Sequence, residues 1–459
     1  MENLGYVNSF FKVLGYSLLP QDKKEEVTNR RLHELVRYVK EKSPYFAKAY
    51  ADIGDDFVLQ DLPVTNKKIM RQNFDTWHTV PGIRLDDVMA FIQDKSNIGK
   101  LYQGKYTIIM TSGSTGNPAI ILQDSSIQNL AGVMAELRAM KFQFPMVNIC
   151  DNTGYGIDNE SIRHNKGKAS ILNKLVSVVN SKQPEAGIVA DLERVKPRVM
   201  FGYTGVLSLI ANEALAGRLH IKPKMIFTSG EYMSDGVRQK IREAFPTAKV
   251  HSVYGCTEGG AMAYECRCDH FHLNEDWTIL ESVDKDNHPV PYGQPGARLL
   301  LTNLSNWLQP LIRYEMGDKA ILHKNDCPCG RKGVWVEVDG RANADLKFET
   351  PHGTVLVPSM VLFEIFEGIN DSGMSNFDQY QLILKPDQRM ELRLHCFDGV
   401  DPEKMLKIVQ KEVGEYLEKC GVYQSEIYLS EKLPAANTRT GKVICVYQEK
   451  AEVHSKTLK

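Results

Sequence analysis

The sequence predicts an α/β protein, with a large N-terminal domain of mixed sheets and crossover helices followed by a small α+β C-terminal domain. Three observations predict it. Short β-rich runs alternate with helix-like stretches through the first three quarters of the chain. The length of 459 residues exceeds what one core organises, since single cores stop growing near about 250–300 residues. After "VDGR" (Val338 to Arg341) the chain changes to a compact set of shorter elements. The boundary is therefore placed at Gly340, giving domains 1–339 and 340–459.

In chain order, "RRLHELVRYVKEKSPYFAKAYADIG" (Arg30 to Gly54) carries apolar residues at helical spacing. "AIIL", after a run of small residues, has the pattern of a strand. "RVMFGY", "PKMIFTSG" and "AKVHSVYG" are β-rich runs ending in or near glycine, and "VRQKIREAF" between the last two has helical spacing. Strands joined by crossover helices place ligands where the strands end. Beyond Gly340 come "DQYQLILKP" and "RMELRLHCF" as strands, "DPEKMLKIVQKEVGEYLEKCG" as a helix, and "SEIYLSEKLP".

The 56 basic and 57 acidic side chains nearly cancel. That balance removes the electrostatic footprint of a nucleic-acid or anionic-membrane binder and favours a small-molecule partner. No apolar run reaches the roughly 18 residues of a membrane span, and the first twenty residues lack a basic leader before an apolar stretch. A cytoplasmic protein is expected. Nine cysteines, an odd number, argue against a disulfide framework, so tight clusters of them point to a metal.

"TSGSTGNP" (Thr111 to Pro118) sits between two apolar runs. Its glycines let backbone N–H groups turn toward one point, and its hydroxyls add donors suited to polyphosphate oxygens. A plain hairpin turn is the competing reading. No Lys-Ser/Thr follows the second glycine, so this is not a Walker loop. Downstream stand "SVYGCTEGG" (Ser252 to Gly260), "LIRYEMGDKA" (Leu311 to Ala320), "GRANADLKF" (Gly340 to Phe348) and "NTRTGKV" (Asn437 to Val443). In order and approximate spacing these resemble the adenylate-forming superfamily of acyl-CoA ligases, adenylation domains and luciferases. "LVRYVKEKSPYFAKAY" and "LQDLPVTNKKIMRQNF" are similar to the opening of phenylacetate–CoA ligases.

The resemblance implies roles. Thr111, Ser112, Gly113, Ser114, Thr115 and Gly116 would hold the β- and γ-phosphates of ATP. Glu258 would hold Mg²⁺, Thr257 would touch the α-phosphate, and Tyr254 with Gly255 would lie along the adenine. Ser229, Gly230 and Glu231 would line the adenine pocket, and Asp318 would accept hydrogen bonds from both ribose hydroxyls. Arg341 would reach the ribose or the phosphate. Lys442 would stand beside the α-phosphate during adenylation, delivered by a C-terminal domain acting as a mobile lid. Two departures stand out: Asn343 occupies the family's pivot aspartate position, and the glycine expected soon afterwards is displaced to Gly353. Two extra residues also separate Pro434 from Lys442, although the Thr-x-x-Gly-Lys pattern is intact.

The cysteines form a second site. "ECRCDHFH" and "DCPCGRKG" each supply a Cys-x-Cys pair of soft ligands. Cys266, Cys268, Cys327 and Cys329 are the expected holders of a structural Zn²⁺; the alternatives replace Cys268 by His272 or leave reduced thiols without metal. Cys150, Cys256, Cys396, Cys420 and Cys445 are assigned to packing.

Activity follows from the resemblance: ATP-dependent activation of a small aromatic carboxylic acid, then transfer to CoA, by a protein expected as a homodimer. "DNTGYGIDN" (Asp151 to Asn159) falls where a substrate-lining loop belongs, with Gly154, Tyr155 and Gly156 as a wall for a flat ring or as a simple turn. An adenylating enzyme with an amine, hydroxyl or carrier-protein acceptor uses the same ATP residues. A noncatalytic nucleotide- or zinc-binding protein is the third reading, opposed by the joint presence of Glu258, Asp318 and Lys442.

Overall fold

The computed structural model describes residues 5–110, 119–150, 175–181, 183–230, 233, 235–341, 346–351, 353–357, 359, 362, 365–366, 369, 376–423, 425–435 and 445–449. The chain folds into two compact units, Met1–Tyr232 with Ile241–Asp339, and Met233–Lys240 with Gly340–Lys459.

In the first unit a helix over Gln21–Lys42 buries Leu32, Leu35, Val36 and Val39, a stripe at helical spacing. The helical pattern through Gly54 is interrupted at Pro44, because the residue before a proline is pushed out of helical geometry. Ser43, extended there, accepts from Phe46 N and caps a second short helix, Pro44–Ala49. Its hydroxyl also donates to Trp77 O at 2.8 Å. Phe46, Tyr50 and Trp77 are fully buried around this corner, with Tyr45 stacked on Trp77 at 4.4 Å. The same core takes in Ile121, Leu304, Leu311 and Tyr314, which ties the N-terminal helices to the sheets that carry the motifs.

β1 (Thr107–Met110) and β2 (Ile120–Gln123) form an antiparallel hairpin on either side of residues 111–118. The large sheet contains β3 (Met146–Cys150), β4 (Val176–Asn180), β5 (Val199–Tyr203), β6 (Met225–Ser229), β7 (Lys249–Cys256), β8 (Gly260–Glu265) and β9 (Phe271–Leu273). A three-stranded antiparallel sheet holds β10 (Thr278–Val283), β11 (Arg298–Asn303) and β12 (Leu311–Met316). β13 (Asp318–Lys324) and β14 (Val334–Arg341) complete the large sheet in the order β13-β14-β9-β8-β7-β6-β5-β3-β4. From β4 to β7 the neighbours are parallel, and helices Glu185–Val195, Thr204–Leu215 and Asp235–Ala244 lie between strands in sequence. From β7 through β8 and β9 to β14 the pairing is antiparallel. The three β-rich runs and their helix are thus β5, β6, β7 and Asp235–Ala244, as expected.

In the second unit, β15 (Leu346–Thr350) pairs with β16 (Gly353–Val357). β17 (Phe377–Leu384), β18 (Met390–Cys396), β19 (Ile427–Leu429) and β20 (Val446–Gln448) make a sheet in the order β19-β18-β17-β20. A helix over Pro402–Lys419, capped by Asp401, buries Met405, Val409, Val413 and Leu417 in a core with Leu382, Leu384, Met390 and Leu392. The α/β class with a smaller α+β unit is as the sequence predicts.

Because Trp77 is fully buried and its indole N–H donates to Pro310 O at 2.7 Å, Trp77→Ala leaves both a cavity and an unpaired carbonyl. It should destabilise the first unit by about 3–5 kcal/mol. Urea denaturation followed by circular dichroism checks this, and an unchanged midpoint would contradict the packing described.

Candidate active site and a cysteine–histidine cluster

The candidate site begins where the parallel strands end. β6 finishes at Ser229, aligned with Val253 of β7, and Gly230 follows with φ +73°. Thr228 Oγ1 and Ser252 Oγ lie 2.8 Å apart between the same strands. β7 then runs through Tyr254, Gly255 and Cys256 and reverses over Thr257–Gly259 into β8. The reversal is tight: a Cβ on Gly255 would lie 2.5 Å from Gly260 O, closer than any side chain tolerates. Gly260 has φ +64°, the left-handed region that favours glycine. The glycines of "YGCTEGG" are thus demanded by the turn that presents Glu258.

Asp318, the first residue of β13, accepts from Tyr254 Oη at 2.9 Å. Burial, and then the negative charges of Glu258 and Asp318, hold the Cys256 thiol well above its ordinary range. Burial and Glu258 likewise raise Tyr314. Both carboxylates therefore act on one sulfur, and the structure brings Tyr254, Cys256, Glu258 and Asp318 together. The Cys256 sulfur also accepts from Gly259 N at 3.3 Å, so this cysteine shapes the turn as a neutral thiol. Two hard oxygen donors beside a phenol suit a hard cation and a ligand with a vicinal diol.

Thr111, Ser112, Gly113, Ser114, Thr115, Gly116, Glu231, Lys442 and the Asp151–Asn159 segment lie outside the described residues. Arg341 ends β14, with only its backbone described.

Sequence reasoning passed over Arg313, a charge inside the apolar run "LIRY". It is 3% exposed and has φ +44°, a costly conformation for a non-glycine residue. Its guanidinium donates to Glu281 Oε2 at 3.1 Å, Gln60 O at 3.0 Å, Leu62 O at 2.9 Å and Asn287 O at 3.1 Å. The backbone of Thr65 adds bonds to Arg313 O at 2.9 Å and from Glu315 N at 2.8 Å. The "LPVT" segment is thus a strand-like edge on β12, holding the backbone that leads to Asp318. The signal available in the sequence was a lone arginine in a buried strand pattern, which needs several acceptors.

The second site lies at the β8–β9 turn and the β13–β14 loop. The ligand atoms of Cys266, His272, Cys327 and Cys329 all fall within 4.8 Å of one another. Cys268 is outside this set, whose membership is that of the His272 alternative and not of the four cysteines. The reason is local: Cys266 N bonds His270 O and Asp269 takes φ +58°, and the resulting turn leads into β9, where His272 pairs back onto Tyr264. Cys268 instead donates its N–H to Cys266 Sγ at 3.4 Å, as Arg331 N does to Cys329 Sγ.

The donor set fits a tetrahedral soft ion. Cys266 Sγ and Cys327 Sγ are 3.8 Å apart, the edge of a tetrahedron with metal–sulfur bonds of about 2.3 Å. Cys329 Sγ and His272 Nε2 are 3.3 Å apart. Burial, with Arg331 and His270 nearby, pulls His272 down to about 4, which keeps it a neutral donor. Burial pushes the Cys327 thiol up to about 12. Trp335 walls the cluster, sandwiched between His270 and His323 at 3.9 Å on each face.

No family model matches the chain. It is 25% identical over 334 residues, 69% of either chain, to the phenylacetate–coenzyme A ligase of Thermus thermophilus. Among solved structures it is similar to 2-hydroxyisobutyryl-CoA ligase in a postadenylation state with an acyl-AMP, with a TM-score of 0.70, 18% identity, and 94% of this chain and 91% of that one covered. An open conformation of that ligase with 2-HIB-AMP and CoA gives a TM-score of 0.58 at 18% identity, covering 94% and 93%. The chain is thus similar in sequence to a phenylacetate–coenzyme A ligase and shares the fold of 2-hydroxyisobutyryl-CoA ligase.

Proposed function

We propose that the protein is an AMP-forming acid–CoA ligase that activates a small aromatic carboxylic acid. The observation that carries the reading is the meeting of Glu258, Asp318 and Tyr254 at the carboxyl ends of β6 and β7, where α/β sheets bind their ligands. The acid's carboxylate oxygen attacks the α-phosphorus of ATP and pyrophosphate leaves. The CoA thiol, losing its proton, then attacks the acyl carbon and AMP leaves. Asp318 accepts the ribose hydroxyls, taking over from the Tyr254 phenol as partner, while Ser229, Gly230, Glu231, Tyr254 and Gly255 surround the adenine. Thr257 and the Thr111–Gly116 loop donate to phosphate oxygens. Glu258 is the carboxylate for Mg²⁺, which when bound neutralises charge developing on the phosphates. Arg341 and Lys442 serve the nucleotide, with Lys442 needed for adenylation.

The aromatic class of acid is supported by the phenylacetate–CoA ligase relative and by Gly154-Tyr155-Gly156. Nine cysteines outside any disulfide support a cytoplasmic setting; among the described residues no helix is long and apolar enough to cross a membrane. A homodimeric assembly rests on the resemblance alone. Zn²⁺ held by Cys266, His272, Cys327 and Cys329 is structural, since four protein donors leave no open position.

Pyrophosphate release with a panel of aromatic acids, with and without CoA, tests the activity. Release with CoA consumption is expected for at least one acid; release without it identifies another acceptor, and no release for any acid removes the ligase reading. Lys442→Ala should lower adenylation by at least about a hundredfold while sparing thioester formation from supplied acyl-adenylate.

Metal analysis should find one zinc per chain. His272→Ala should lose it and lower Tm, whereas Cys268→Ser should keep both; the reverse pattern would restore the four-cysteine site.

A further inference from the structure

Glu258 sits in a short turn, and its position depends on what holds the turn's backbone. β11 ends at Asn303, whose side chain is 3% exposed. Asn303 Nδ2 donates to Glu258 O at 2.8 Å. Its other atom, Oδ1, accepts from Ser305 N at 2.9 Å, Ser305 Oγ at 2.7 Å and Asn306 N at 3.2 Å. Both ends of the amide are engaged: its oxygen builds the turn after β11, and its nitrogen reaches 45 residues back to the candidate cation ligand.

That turn is itself anchored. Asn306 and Gln309 are both 0% exposed. Asn306 Nδ2 donates to Leu122 O at 3.0 Å and its Oδ1 accepts from Gln309 N at 3.0 Å. Gln309 Nε2 donates to Ile120 O at 3.0 Å and its Oε1 accepts from Leu122 N at 2.7 Å. Three buried amides in "NLSNWLQ" thus run from the Glu258 carbonyl to β2. Buried amides bonded through both nitrogen and oxygen resist rearrangement, because each lost bond leaves a desolvated polar group.

We propose that Asn303 is a positioning residue for magnesium–nucleotide binding: it fixes the Glu258 turn against the β1–β2 hairpin, so that the Glu258 carboxylate is held beside Asp318 before the cation arrives. The inference rests on the reading of Glu258 as the Mg²⁺ carboxylate. Asn303 does not touch the reacting atoms. Its effect passes through the Glu258 backbone, the outer-shell arrangement that orients cation ligands elsewhere in proteins.

The substitution Asn303→Asp separates the two jobs of the side chain. It keeps an acceptor for Ser305 and Asn306 but turns the donor facing the Glu258 carbonyl into a second acceptor. A negative charge acting by itself at this spot would tighten cation binding, so weaker binding reports the lost hydrogen bond. With full-length protein and an acid that supports pyrophosphate release, N303D should raise the Mg²⁺ concentration for half-maximal rate by about tenfold. The KM for the acid should stay within about twofold. In a Glu258→Gln background N303D should add nothing further to the Mg²⁺ requirement, as coupled sites behave. Folded N303D with wild-type Mg²⁺ dependence, or effects that add in the double variant, would overturn the proposal. If N303D does not fold, Asn303→Ala takes its place with the same criteria, and a fall in Tm alone would make Asn303 a packing residue. A wild-type protein that releases no pyrophosphate with any acid contradicts the ligase reading; an active wild type with an indifferent N303D contradicts this inference alone.

Discussion

The close approach of the Gly255 and Gly260 backbones is the constraint on which the site depends. At that point the large sheet stops being parallel and turns antiparallel, and no side chain fits between the two strands. Every strand pair to the β4 side is parallel; every pair from β7 through β8 and β9 to β14 is antiparallel. Glu258 stands in the turn between the two regimes. Asp318 arrives from another strand of the same sheet and is met by Tyr254, one residue before Gly255. A Cβ at position 255 would push the turn off its register and shift Glu258 relative to Asp318.

Buried polar side chains hold the arrangement. Arg313 compensates a strained backbone with four acceptors drawn from three segments, and the amides of Asn303, Asn306 and Gln309 lace the turn after β11 to Glu258 and β2. Such groups add little net stability, since their hydrogen bonds replace bonds to water. What they supply is geometry: a buried guanidinium or amide that loses its acceptors is strongly unfavourable, so neighbouring arrangements are penalised. An enzyme acting mainly by positioning and electrostatics needs that kind of rigidity.

Much of this was legible in the sequence. β5, β6 and β7 announced themselves by short apolar runs ending in or near glycine, and the carboxylates by the motifs around them. Two features were half legible. The helical period through Gly54 concealed the break at Pro44, which rotates Phe46 and Tyr50 into the Trp77 cluster. The Cys-x-Cys spacing suggested four thiolates, but spacing carries no direction; the left-handed Asp269 carries the chain into β9, and the pairing of that strand selects His272. The polar supports were not legible. Arg313 finds Gln60 O and Leu62 O about 250 residues upstream, and Asn303, Asn306 and Gln309 read locally as loop residues. Long-range polar partners leave no periodic trace in a single chain.

A crystal structure with a nonhydrolysable acyl-adenylate mimic tests the central claim most directly. The ribose hydroxyls should lie within about 2.6–3.2 Å of the Asp318 carboxylate, with the adenine against Tyr254 and the strand end at Ser229–Gly230. A mimic bound elsewhere, with Tyr254 and Asp318 still paired only to each other, would contradict the account.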